Sequence, residues 1–200
     1  MDGIYFLYIN WLLWITVYFF MPKSQKRTWI SVSLLLLIIT ASFEVEISFI
    51  LINASNLFIT ITSIVIIALH SKQIRTTCLA LSVSIGYVGA LMWEMVSPVW
   101  IFAPRLLIYS LLAFLLVLFI HHSMWLRIAI WGLGASVGEI IYSFILMDYG
   151  FQDAVGDKGF LDIYSVVILL IVITNLVSKL TSWMENTITE IVKRKAGIKT

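Results

Sequence analysis

Glu139 lies about halfway along an apolar run of the chain, and a carboxyl group in such surroundings is costly unless it has a task or a partner. Two readings stand open. It is a proton-linked site or a counter-ion for a cationic ligand, or it is a neutral carboxyl hydrogen-bonded to a neighbouring helix, since a buried acid can keep its proton. The same run carries Gly132, Gly134, Ala135, Ser136 and Gly138, and its Gly134-x-x-x-Gly138 spacing lets helix backbones approach closely. Ser82, Gly86 and Ala90 repeat that spacing earlier in the chain. Packing of these two small-residue faces is expected to place Glu139 inside a bundle.

Glu94 and Arg105 flank a short segment containing Pro98 and Pro104. They either pair with each other or join Asn10, Asn53 and Asn56 in an outer polar vestibule, because all five project to one half of the bundle. Gly134-Ala135-Ser136-Val137-Gly138 spells G-x-S-x-G, but a nucleophile elbow needs a strand-to-helix turn, and this run is helical. His70, His121 and His122 lie near one membrane edge, and Ser136 is about 13 Å deeper at helical rise. No complete catalytic set results, so an enzyme is not expected.

Metal and cofactor chemistry find no support either. Asp148, Asp153, Asp157 and Asp162 lack the spacing of a calcium loop and read as a solvated acidic loop. His121-His122 has no third ligand nearby, and Cys78, the only cysteine, excludes an internal disulfide. No metal and no cofactor are expected.

The elements that position these residues follow from solvent physics. Of 200 residues, 61% are hydrophobic and 12% charged, far from the roughly 25% charged of a soluble domain. A helix needs about 20 apolar residues to cross the hydrocarbon core, since its backbone groups must bond within the segment. That ruler gives spans near 3–21, 29–43, 47–69, 77–97, 106–121, 128–147 and 161–178. Residues 29 to 69 are read as two helices around an acidic turn, because one span would leave Glu44 and Glu46 in hydrocarbon. The first span reads as retained, without the positive n-region of a cleaved signal peptide.

The expected fold is therefore an all-α polytopic bundle of about seven transmembrane helices. Alternate loops differ in charge: Lys23, Lys26, Arg27, Lys72, Arg75, Arg127, Lys179, Lys193, Arg194, Lys195 and Lys199 fall on one side, Arg105 and Lys158 on the other. The second side instead gathers Asp2, Glu44, Glu46 and the four aspartates. Basic residues accumulate in the cytoplasm, so the N-terminus is expected outside and the C-terminus inside. Trp11, Trp14, Trp29, Trp93, Trp100, Trp125 and Trp131 read mostly as interfacial anchors.

One domain, residues 1–178, forms the bundle, and residues 179–200 form a cytoplasmic amphipathic basic tail. In that tail Leu180, Trp183, Met184, Ile188, Ile191 and Val192 recur at helical spacing ahead of Lys193, Arg194 and Lys195. The net charge of +2 is too small and scattered for nucleic acid. The partners expected are the lipid bilayer and either another membrane protein or a second copy of the chain.

The opening Gly3-Ile4-Tyr5-Phe6 with Trp11 and Trp14, the basic loop Pro22-Lys23-Ser24-Gln25-Lys26-Arg27 and the overall length resemble the YphA-like family of small, uncharacterised bacterial membrane proteins. The resemblance implies a bacterial plasma membrane and supplies no reaction, ligand or catalytic position. Two functional classes follow from the residues themselves. One is a transporter or ligand-binding membrane subunit built around Glu139; the other is a noncatalytic scaffold or sensor that assembles with other membrane proteins.

Overall fold

The computed structural model of the chain describes residues 3–47, 50–70, 73–97, 103–150 and 154–195, with the backbone alone at 47, 50 and 190–195. Asp2, Lys72, Pro98, Trp100, Asp153 and Lys199 lie outside the described residues. Among the described residues there are seven helices: α1 (Ile4–Phe20), α2 (Gln25–Thr40), α3 (Ala54–His70), α4 (Gln73–Val96), α5 (Arg105–Ile120), α6 (Met124–Asp148) and α7 (Lys158–Lys195). Two strands, β1 (Glu44–Ile47) and β2 (Ile50–Asn53), stand between α2 and α3.

Three segments, Gln73–Val96, Met124–Asp148 and Lys158–Thr189, are long and apolar enough to cross a membrane. α1, α3 and α5 are shorter apolar helices of 17, 17 and 16 residues. At about 1.5 Å per residue these reach roughly 24–26 Å, a little less than the hydrocarbon thickness. α7 runs unbroken for 38 residues, so the amphipathic stretch after residue 178 continues the last helix, with Leu180, Trp183, Met184 and Ile188 exposed.

The expected helix over 47–69 is corrected by the hairpin. Only Ala54–His70 is helical, and β1 pairs antiparallel with β2 in the register Glu44↔Asn53, Val45↔Ile52, Glu46↔Leu51, Ile47↔Ile50. Glu44-Val45-Glu46-Ile47 alternates polar and apolar residues, which suits a strand, and the strand pair keeps both carboxylates exposed. The bundle is therefore all-helical apart from this small sheet. Asn53 then caps α3: its Oδ1 accepts from Ser55 N–H at 2.9 Å.

α6 is buried on all faces from Ala129 to Ser136, exposes Ile141, Phe144 and Met147 beyond that stretch, and packs most extensively on α4 and α3. Its glycines set those approaches. A Cβ at Gly134 would stand 2.8 Å from the Ala80 carbonyl oxygen and from Val83 Cβ, and one at Gly138 would stand 2.8 Å from Tyr87 Cδ1. At Gly132 it would meet Ser63 Oγ of α3. On α4, however, the packed face is Ala80, Val83, Ser84 and Tyr87, whereas Ser82 and Gly86 are exposed and Ala90 is half-buried. The expected face of Ser82, Gly86 and Ala90 is thus rotated away from α6. Glycines on α6 leave room for larger side chains opposite, so small residues are not needed on both helices. Trp131 is also no anchor, being 1% exposed in the core.

α1 begins at Gly3, whose φ of +71° suits glycine, and has no side-chain cap of its own. The acceptor comes from α7: Asp162 Oδ1 receives Phe6 N–H at 2.8 Å. Asp162 is 1% exposed, which corrects its reading as part of a solvated loop. A carboxylate also favours the positive end of a helix. Asp162→Ala is expected to destabilise the protein by about 1–2 kcal/mol, since it removes a cap from buried amides. Unfolding in mixed micelles, with Asp162→Asn falling between the two, checks this.

Candidate functional site

Four junctions meet at one end of the bundle. Val155, between α6 and α7, accepts from Asn53 N–H at 2.9 Å and donates to the Leu51 carbonyl at 2.8 Å, joining the hairpin as a parallel bridge opposite Ile52. The N-termini of α1 and α7 meet through Asp162. The α4–α5 junction closes on the ion pair of Arg105 Nε with Glu94 Oε2 at 3.0 Å.

Beneath this cap is a cavity of about 100 Å³ whose polar lining includes Glu139, Tyr87, Arg105, Tyr142, Ser143 and Asp157. At roughly 30 Å³ per water it holds a few waters or one small ion, far less than a drug-sized ligand. Its floor is α6. Glu139 is 8% exposed, and its Oε1 accepts from Tyr87 O–H at 2.6 Å. The Gly156 backbone amide also lies close to Glu139. Glu139 stands nine residues before the end of α6 at Asp148, roughly 13 Å below it at helical rise.

Aromatic packing fixes the Tyr87 hydroxyl. Its ring meets Trp131 edge-on at 5.9 Å and Tyr109 at 6.5 Å. Tyr109 of α5 repeats the pairing about two helical turns further along α4: its hydroxyl donates to Glu94 Oε2 at 2.6 Å, and Arg105 lies over its ring at 5.6 Å. Two tyrosine–glutamate pairs are thus linked ring to ring, one buried and one near the mouth. Tyr87→Phe is expected to cost about 1–3 kcal/mol, because it takes a hydrogen bond from a buried carboxyl group. Chemical unfolding of the purified protein reads this loss; an unchanged midpoint would show that the contact carries no weight.

The five residues of the expected vestibule do not come together. Glu94 and Arg105 pair, and Arg105 also lines the cavity. Asn10 is 3% exposed and donates to the Phe6 carbonyl and to Ser165 Oγ at 2.9 Å, tying α1 to α7. Asn53 serves the hairpin junction, capping α3 and donating to the Ala41 carbonyl at 3.2 Å. Both amides are thus satisfied by partners inside the bundle. Asn56 is fully buried, and neither polar atom of its amide has a hydrogen-bond partner among the described residues. It packs against Gly156, whose φ is +74° and where a Cβ would stand 2.7 Å from Asn56 Cβ.

Tyr87, Tyr142 and Ser143 were not singled out in the sequence. A signal existed for Tyr87, since a tyrosine deep in an apolar helix needs a partner for its hydroxyl. Asp157, read as part of a solvated loop, is exposed, but it also lines the cavity and accepts from Phe160 N–H at 2.6 Å as the cap of α7. Val155 and Gly156 of the same segment are buried. The G-x-S-x-G run is inside α6 with Ser136 fully buried, about 18 Å along the helix from Met124. Among the described residues no group of three or more His, Cys, Asp or Glu side chains is placed to hold a metal ion.

A family described as YphA-like integral membrane protein matches residues 2–197. The chain is also similar to a Bacillus subtilis (strain 168) protein named "Uncharacterized protein YphA", with 23% identity over 171 residues, 86% of each chain. No solved structure matches.

Proposed function

This chain belongs to the YphA-like integral membrane protein family, and on that premise we propose that it is a ligand-binding membrane subunit or transporter whose site is the cavity around Glu139. The observation that carries this reading is a buried carboxyl group opening on a polar cavity of about 100 Å³ beside a second acid, Asp157. Arg105, the cation at the same cavity, is engaged by Glu94. The lining therefore favours a small cation of the ammonium or methylammonium class, with Glu139 exchanging a proton for it or serving as its counter-ion.

The proposed setting is the bacterial plasma membrane, crossed seven times, with the N-terminus outside and the C-terminus in the cytoplasm. The charge asymmetry supports this orientation: the cavity end carries Glu44, Glu46, Glu94, Asp148 and Asp157, and the opposite end carries Lys23, Lys26, Arg27 and Arg75. The cavity then faces outward.

Methylammonium is the probe. It is expected to raise the melting temperature of the wild-type protein and to enter proteoliposomes in a pH-dependent manner, with both effects absent in Glu139→Gln. Binding and flux unchanged in Glu139→Gln across pH would overturn the reading. A noncatalytic scaffold is the alternative, favoured by Gly86 and Gly89, whose outward face on α4 meets no atom within 4 Å and leaves room for another helix. A stable protein partner copurified from native membranes, and lost in Gly86→Leu, supports that alternative.

A further inference from the structure

At the end of the bundle opposite Glu139, a second pocket of about 450 Å³ opens between the α3–α4 and α5–α6 junctions. Its rim carries His70, Arg75, His121 and His122, and its walls include Leu79, Ile120 and Leu126. No carboxylate lines it among the described residues. Nitrogen donors from three separate segments, one of them the guanidinium of Arg75, thus converge over an apolar wall, and 450 Å³ suits a solute far larger than the other cavity admits. We propose that this pocket binds a phosphate-bearing anion, with Arg75, His121 and His122 as its donors.

The donor geometry is already set. His121 Nδ1 accepts from Ser123 N–H at 2.9 Å, which leaves the proton of the neutral ring on Nε2 as a donor. Arg127 holds the linker: its guanidinium donates to the carbonyls of His121 and Leu118, closing the end of α5. Burial, followed by the charges of His122, Arg127 and Arg75, pushes the His121 imidazole below its usual pKa. Arg127 and Arg75 thus set a positive field at the pocket, secondary to burial in its effect on His121. Thr76 and Leu126 lie in the first turns of α4 and α6, so two helix N-termini, the positive ends of their dipoles, add to the field. Guanidinium and imidazole donors match phosphate oxygens, and the apolar wall suits the glycerol and upper acyl carbons of a lipid.

A lipid headgroup and a soluble phosphate share this chemistry, and two probes separate them. Purified full-length protein in a neutral detergent is titrated with dioctanoyl phosphatidylglycerol, dioctanoyl phosphatidylcholine and inorganic phosphate, with binding read by native mass spectrometry and calorimetry. Phosphatidylglycerol is expected to bind more tightly than phosphatidylcholine, and Arg75→Gln combined with His122→Gln to weaken it on the order of tenfold or more. Lys23→Gln, a basic residue of the same end but outside the pocket, is expected to change nothing. Binding of phosphatidylglycerol alone assigns a lipid site, and binding of inorganic phosphate assigns a soluble phosphate. His122 is exposed and precedes α6, so His122→Gln alone provides a folded variant if the double variant fails. Wild-type affinity in the variants, equal affinity for phosphatidylcholine, or no binding of either anion overturns the proposal.

Discussion

Gly134→Leu is expected to cost roughly 3 kcal/mol or more and to leave little folded protein, whereas Gly86→Leu is expected to stay within about 1 kcal/mol of wild type. Both replace a glycine in an apolar helix, so intrinsic helix propensity does not separate them. What separates them is the neighbour. A Cβ at Gly134 lands 2.8 Å from a backbone oxygen of α4, which cannot rotate aside, whereas one at Gly86 meets nothing within 4 Å. The added side chain at Gly134 must push α4 off α6 and carry Tyr87 away from Glu139. Equilibrium unfolding in mixed micelles measures both variants, and equal midpoints would show that the α4–α6 approach is not what holds the bundle together.

Glu139→Gln is expected to abolish methylammonium binding, a loss of at least tenfold in affinity, while the fold survives. The amide is nearly isosteric and can still accept from Tyr87, so the hydrogen bond of 2.6 Å has a replacement acceptor. It cannot ionise, and so offers neither a counter-charge nor an exchangeable proton. Glu139→Leu removes the acceptor as well and is expected to lose about 1–3 kcal/mol of stability besides, since the Tyr87 hydroxyl is left buried without its partner. The contrast between the two variants separates the part Glu139 plays in holding α4 to α6 from the part it plays toward a solute.

Much of this arrangement is legible in the chain because solvent physics is strict in a membrane. Apolar runs mark the helices, and Gly134 and Gly138 mark a close approach of backbones. The hairpin was hidden by its own composition: Ile47 to Ile52 is as apolar as a helix interior, and a short apolar run does not declare its period. The packed face of α4 was misread because small residues were sought on both helices, when glycines on α6 alone suffice to seat Val83 and Tyr87. Asp162 was read with its neighbours in sequence, yet its partner Phe6 is 156 residues away. Contacts of that kind depend on how the ends of α1 and α7 meet. The pairing of Tyr87 with Glu139 is likewise set by helix rotation, which no local pattern states.

Proton release on methylammonium binding tests the central claim most directly. Calorimetric titrations in buffers of different ionisation enthalpy count the protons that leave the protein as the cation enters. The wild type is expected to release a proton as the cation takes its place beside Glu139, and Glu139→Gln to release none. A wild type that binds no methylammonium, or Glu139→Gln binding it with the same affinity and the same proton release, would contradict the account.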